Sequence, residues 1–203
     1  MSNSDNRLAP FLRQIGMCMA ELDTAITAAA YKVLQTASTQ TLDETNSRSF
    51  IPPDLDEVLS QHSSPEISLL KEVAHTLPWT PTKTIAKENP KLTHLAAVEL
   101  IGPTGVIRNE ELRMGLLLQP NQINYPNHRH AAEELYLVLS GTALWGQSNR
   151  TPVSCMPGGF RHHVSWEWHE MITNDEPLLT FWCWTGDIRF DQYQITHHHI
   201  PGE

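Results

Sequence analysis

A chain of 203 residues, 40% hydrophobic and 18% charged, is long enough to bury one good core, or one core with a helical extension. Fourteen Lys and Arg against 23 Asp and Glu leave a formal charge of -9, and the cations are scattered, which argues against a nucleic-acid binder. Cys18, Cys155 and Cys183 are odd in number and form no CxxC pair, so neither a disulfide framework nor a thiolate zinc site is expected.

An anionic substrate must then be held by a local device such as a metal. The N-terminal sequence lacks the basic, apolar and small-residue succession of a secretory signal, and no apolar run approaches the roughly 18 residues of a membrane helix. The expected location is the cytoplasm, with no membrane partner.

In chain order, Phe11, Ile15, Met19, Leu22, Ile26, Ala29 and Val33 recur at spacings of three and four, the stripe of one amphipathic helix with Pro10 in its first turn. Polar residues from Ser38 to Ser49 interrupt it. Pro52 and Pro53 then open a short helix carrying Leu55, Val58 and Leu59. Ser64 caps a further helix, with Pro65 at its first position, one face formed by Ile67, Leu70, Val73 and Leu77, and Pro78 as its stop. Residues 1–85 are therefore expected to be a helical extension packed on the C-terminal part of the chain.

After Pro78 the texture changes to the short apolar runs LAAVELIG, LRMGLLLQ, ELYLVLSG and LLTFWCWTG, separated by Pro, Gly, Asn and Ser. Residues 86–203 are expected to be a jelly-roll barrel, making the chain mainly β with an N-terminal α-helical extension.

Chemistry concentrates in the segment from Tyr125 to Gly141. Along an extended strand the even-numbered His128, His130, Glu134 and Tyr136 share a face, so two imidazoles and a carboxylate converge, with a bend at Ala131 and Ala132 as the weak point of that parity. This donor set suits one divalent transition metal, zinc, iron, manganese, cobalt or nickel, and softness does not choose among them. His128, His130, Glu134 and Gly141 also match the first cupin motif, with Gln122 where its upstream glycine usually stands. The resemblance implies the cupin double-stranded β-helix and one further histidine ligand. A literal match to the second motif selects Pro157, Gly159 and His162. Aligning Gly158 and Gly159 with the turn that commonly precedes the last paired strands selects His169, which is preferred over His162 and His163, and those two are then candidates to line the pocket, with His163 placed among the substrate-binding residues. His62, His75, His94, His197, His198 and His199 are read as ordinary surface or core residues.

A cupin site by itself names no reaction. Tyr125 before the histidine pair, Tyr136 after Glu134, a helical extension and the late segment PLLTFWCWTGD together resemble the cupin-type dimethylsulfoniopropionate lyases over roughly residues 95 to 190. That resemblance implies a zwitterionic sulfonium carboxylate as substrate. It implies Tyr136 as the base that removes the proton beside the carboxylate, and loss of dimethyl sulfide to leave acrylate. Tyr125 would then orient substrate or handle a second proton, or else simply pack before Pro126. Trp182 and Trp184 share strand parity and are candidates to hold the sulfonium, Trp184 foremost, against ordinary core packing for most tryptophans. A homodimer is compatible with this reading. The rivals are a metal-dependent cupin oxygenase, a lyase-like cupin acting on another small carboxylate, and a small-molecule-binding cupin without turnover.

Overall fold

A computed structural model describes residues 6–40, 50–82, 95–148 and 150–196. Four α-helices come first among the described residues: α1 Ala9–Met19, α2 Ala25–Ala37, α3 Leu55–Gln61 and α4 Pro65–Lys71. The single long helix expected from Phe11 to Val33 is thus two, and local hydrogen bonding gives the reason. Thr24 leaves helical geometry, its side chain accepts from the Thr27 amide, and the Thr27 hydroxyl accepts from the Thr24 amide, a reciprocal cap that restarts the helix. The restart shifts the buried face by one residue: Ala30 and Leu34 are buried, whereas Ala29 is exposed and Val33 half-buried. Ser64 caps α4 as expected, accepting from the Ile67 amide at 3.2 Å. The α-helical part ends at Lys71, and a single 3-10 turn, Ala74–Thr76, carries the chain on with Val73 and Leu77 still buried. No helix among the described residues is long and apolar enough to cross a membrane.

Twelve described strands come next: β1 Thr80–Pro81, β2 Ala96–Gly102, β3 Ile107–Arg108, β4 Arg113–Gln119, β5 Asn124–Arg129, β6 Ala132–Ser140, β7 Ala143–Gln147, β8 Arg150–Cys155, β9 Phe160–His163, β10 His169–Thr173, β11 Leu178–Gly186 and β12 Gln194–Ile195. The larger sheet runs β1-β2-β4-β11-β6-β9 with β3 beside β2, and the smaller runs β12-β5-β10-β7-β8. Facing each other, they make the cupin double-stranded β-helix. The expected division near residue 85 falls outside the described residues, as do His94, His197, His198 and His199.

Alternation along the larger sheet explains why its strands read as unbroken apolar runs. Leu135, Leu137 and Leu139 of β6, with Phe181 and Cys183 of β11, join Phe11, Ile15, Leu34 and Leu70 of the helices in one core. The intervening Tyr136, Val138, Trp182 and Trp184 join Tyr125, Trp145 and Met171 in a second core inside the barrel. A sheet covered on both faces has no polar side to show in its sequence. The helices therefore supply the layer that fixes which residues of β6 and β11 turn inward.

The motif glycine Gly141 turns the chain out of β6 with φ +76°, and a Cβ there would collide with the Pro177 carbonyl oxygen. Gly141→Ala is accordingly expected to lower stability by about 2–3 kcal/mol through combined backbone strain and collision. A denaturant midpoint within error of the parent would refute that.

Candidate active site

His128 lies on β5 in the smaller sheet and Glu134 on β6 in the larger. The chain crosses between the sheets at His130 and Ala131, so these residues converge from facing walls and do not share one extended strand as parity suggested. The crossing is fastened from the β9–β10 loop. The Trp166 amide donates to the His130 carbonyl at 2.8 Å, and the Ser165 hydroxyl donates to the Ala131 carbonyl at 2.6 Å. Opposite, β10 places His169 directly across the ladder from His128. A bulge between that pair and the Met171–Tyr125 pair turns Tyr125 inward as well, although it lies an odd number of residues from His128.

One ligand-type atom from each of His128, His130, Glu134 and His169 lies within 4.8 Å of the others. All four side chains are 2% exposed or less. Each ring is oriented by a backbone carbonyl: His128 Nδ1 lies 2.9 Å from Pro126 O, His130 Nδ1 3.0 Å from Ala132 O, and His169 Nδ1 2.9 Å from Glu167 O. With the proton on Nδ1, Nε2 is left as a lone pair aimed inward. Glu134 Oε2 stands 2.9 Å from His130 Nε2 and 3.1 Å from His169 Nε2. Lone pairs and a carboxylate held this close repel unless a positive charge lies among them, and a divalent metal satisfies all of them together. The residues present therefore fit such an ion. Burial opposes ionisation of Glu134, but where no ion intervenes and Nε2 of His130 and of His169 carries a proton, their attraction outweighs it and holds the carboxyl well below its usual range. Burial, with His169 alongside, holds His128 well below the usual imidazole range, so it is a neutral donor.

The two candidates for the last histidine separate cleanly. His169 is in the cluster, while His162 points outward, partly exposed, with Nε2 2.6 Å from Glu133 Oε1. His163 is buried against the cluster, its ring stacked on that of His169 at 4.0 Å and 12°, with Nδ1 3.6 Å from Glu167 Oε2. Burial holds it down to about 4, so it too is neutral. His169→Ala is expected to lose most bound metal and His162→Ala to keep it, checked by elemental analysis of the purified variants. Loss from His162→Ala with retention in His169→Ala would reverse the assignment.

A family model described as dimethylsulfoniopropionate lyase matches residues 23–180, more than three quarters of the chain. The chain belongs to the dimethylsulfoniopropionate lyase family. It is 33% identical over 89 residues to dimethylsulfoniopropionate lyase DddQ of Ruegeria pomeroyi, a match covering 44% of this chain and 44% of that relative, so less than half of the relative's length is spanned. The crystal structure of DMSP lyase DddQ from Ruegeria pomeroyi is similar in fold, with a TM-score of 0.76 at 20% identity over 96% of this chain and 98% of the other. A structure from work on the DMSP lyases RdDddP and RnDddQII gives 0.71 at 24% identity over 94% and 97%.

Around the cluster of this dimethylsulfoniopropionate lyase family member stand the aromatic candidates. Tyr136 is buried two residues after Glu134, its ring 4.9 Å from that of Trp145. Burial first, then Glu134 and Tyr125, push its phenol well above the ordinary range. Tyr125 packs edge-on to His128 at 4.6 Å, and burial raises its hydroxyl too. Trp184 lies 4.2 Å from the His130 ring, and Trp182 stands 5.9 Å behind Trp184. His62 and His75 are remote, the latter paired at the surface with Asp56 at 2.9 Å.

Sequence reasoning missed Tyr193. Its ring stacks on His128 at 5.1 Å and 17°, and its hydroxyl is 2.7 Å from that of Tyr125. A lone tyrosine in DQYQI carries no motif. Only the pairing of β12 with β5 brings it back to the site, and the sole sequence hint was the β-prone pattern after the last barrel strand.

Proposed function

We propose that the protein cleaves dimethylsulfoniopropionate to dimethyl sulfide and acrylate by base-catalysed β-elimination, using one divalent transition metal held by His128, His130, Glu134 and His169. The observation that carries this reading is Tyr136, set on the inward face of β6 two residues after Glu134, in a chain of this family. A proton on the carbon beside a carboxylate is very weakly acidic, so two things are needed: stabilisation of the charge that develops on the carboxylate, and a base stronger than a neutral phenol. When bound, the metal supplies positive charge that stabilises the enolate-like carboxylate and offsets the raised pKa of the adjacent phenol.

Tyr136 Oη takes the proton. The electron pair of that C–H bond becomes the new C=C bond, the C–S bond breaks, and its pair leaves with sulfur as neutral dimethyl sulfide. The hydroxyl pair of Tyr125 and Tyr193 is suited to orient the carboxylate end. Trp184, with Trp182 behind it, offers π-faces to the sulfonium methyl groups, an attraction worth roughly 0.5–2 kcal/mol. His163, neutral and stacked on His169, lines the wall between Tyr136 and that ligand. Burial of Tyr136, Tyr125, Trp184, Trp182 and His163, with the half-buried Tyr193 beside them, limits the access of water to the carbanion-like centre.

The test is headspace measurement of dimethyl sulfide from the purified protein supplied with dimethylsulfoniopropionate, with metal content and oxygen uptake followed on the same sample. Stoichiometric dimethyl sulfide and acrylate without oxygen uptake are expected. Product formation coupled to oxygen consumption would replace the lyase by an oxygenase, and saturable binding without product would leave a binding protein.

A further inference from the structure

The four cluster residues are buried, and the segment that follows β11 and ends in β12, residues 187–196, lies against their aromatic neighbours. Within this strap, the Phe190 ring packs on Trp184 at 5.0 Å, and Tyr193 stacks on His128 and meets Tyr125. Its far end is tied to the ligand strand itself: Gln194 pairs with Arg129 and Ile195 with His128, Arg129 Nε donates to Gln194 Oε1 at 2.9 Å, and the Thr196 amide donates to the Asn127 carbonyl at 2.8 Å.

At the near end the strap meets one buried cation. Arg113, on β4 directly across the ladder from Trp184, donates through Nε to the Ile188 carbonyl at 2.9 Å. Its guanidinium carbon lies 4.3 Å over the Phe190 ring. A terminal guanidinium nitrogen, Nη1, donates to Glu99 Oε2 at 2.6 Å, and Glu99 is fixed in turn by the amide and hydroxyl of Thr104. The planar guanidinium uses one edge for Glu99, another for the strap backbone and its face for Phe190, a combination that an ammonium cannot reproduce. The side-chain contacts of Arg113 are to Ile188, Phe190 and Glu99, two of them in the strap and none in the four-residue cluster.

We propose that Arg113 is a positioning residue that seats the strap over the barrel and thereby sets the Tyr193 hydroxyl against Tyr125 above His128. The proposal rests on the lyase reading for its kinetic consequence and on the fold alone for its structural one. Arg113→Met removes the charge and the donor while keeping an apolar stem, and Arg113→Lys keeps an ion pair to Glu99 but loses the Ile188 bond and the planar stack. Two measurements on the metal-replete proteins test it: hydrogen–deuterium exchange of peptides covering 187–196, and a kinetic cycle combining Arg113→Met with Tyr193→Phe.

Exchange across 187–196 is expected to quicken in both Arg113 variants while peptides from β10 stay at the parent rate. Each single variant of the cycle is expected to lose about ten- to a hundredfold in kcat/KM. Because both disturb the same hydroxyl, the double variant should be no worse than the weaker single by more than about threefold. Arg113→Lys should resemble Arg113→Met. Unchanged strap exchange overturns the proposal whatever the kinetics show. Faster exchange with multiplicative losses in the cycle also overturns it, since Arg113 would then hold the strap without acting through Tyr193. Recovery of parent exchange and kinetics by Arg113→Lys overturns it as well, by assigning the effect to the ion pair with Glu99. A parent protein that released no dimethyl sulfide would remove the lyase reading alone, leaving the exchange measurement to decide where the strap sits.

Discussion

Changing Glu134 to Ala, or His130 to Ala, is expected to reduce bound metal from about one ion per chain to a small fraction of that, the apparent affinity falling by more than about a hundredfold. Glu134 contributes the only negative charge in the four-residue cluster, and its Oε2 faces both His130 Nε2 and His169 Nε2. Without it, the three imidazoles have no carboxylate to balance a divalent charge, and the desolvation of that ion in a buried site is no longer compensated. His130 is the residue at which the chain crosses between the sheets, and its loss removes one donor while leaving Glu134 with a single imidazole partner. Both variants should also melt at lower temperature than the parent in excess metal and at nearly the same temperature in chelator, because the stabilisation from ligand binding vanishes with the affinity. Elemental analysis and paired melting curves decide the matter. Unchanged metal content in both variants would falsify the assignment of this cluster as the metal site.

For Tyr136→Phe, loss of turnover by roughly a hundredfold to ten-thousandfold with metal retained is the expected outcome, the range typical of a removed general base. Phenylalanine keeps the ring that packs 4.9 Å from Trp145, so the interior core should survive. What disappears is the only Tyr136 atom able to take the proton. The raised phenol makes the control necessary: burial and the Glu134 carboxylate oppose phenolate at this position, so under the proposed mechanism base activity would require an intact cation site. Metal content must therefore be measured beside the rate. A metal-replete Tyr136→Phe protein releasing dimethyl sulfide at nearly the parent rate would eliminate the mechanism. The hydroxyl pair of Tyr125 and Tyr193 would then hold the candidate base.

The sequence by itself was enough for the fold class, because the change from three-and-four spacing to short apolar runs near Pro78 reflects two different backbone periods. It was also enough for the four candidate ligands, since a His-x-His pair, a carboxylate four residues on and a distant histidine constitute a donor set whose chemistry is local. The preference for His169 over His162 came from the distance to the Gly158–Gly159 turn, and strand pairing sets where the two side chains lie: β10 runs against β5 and brings His169 to the cluster, whereas His162 on β9 points toward Glu133.

Three features were decided only in the folded chain. The helix break at Thr24 rests on a reciprocal cap between Thr24 and Thr27 that the three-and-four spacing of apolar residues does not register. The convergence of His128 and His130 with Glu134 comes from a crossing between sheets, and Tyr125 joins them through a bulge, because side-chain parity predicts facing only while a strand stays regular. Tyr193 and Arg113 reach the site through contacts 68 and 75 residues apart in the chain, the first to Tyr125 and the second to Ile188. Spacing arguments see neighbours along one element, whereas a residue brought in by a terminal strap or by a buried ion pair is fixed by which surfaces the barrel leaves open, and that is a property of the packed structure alone.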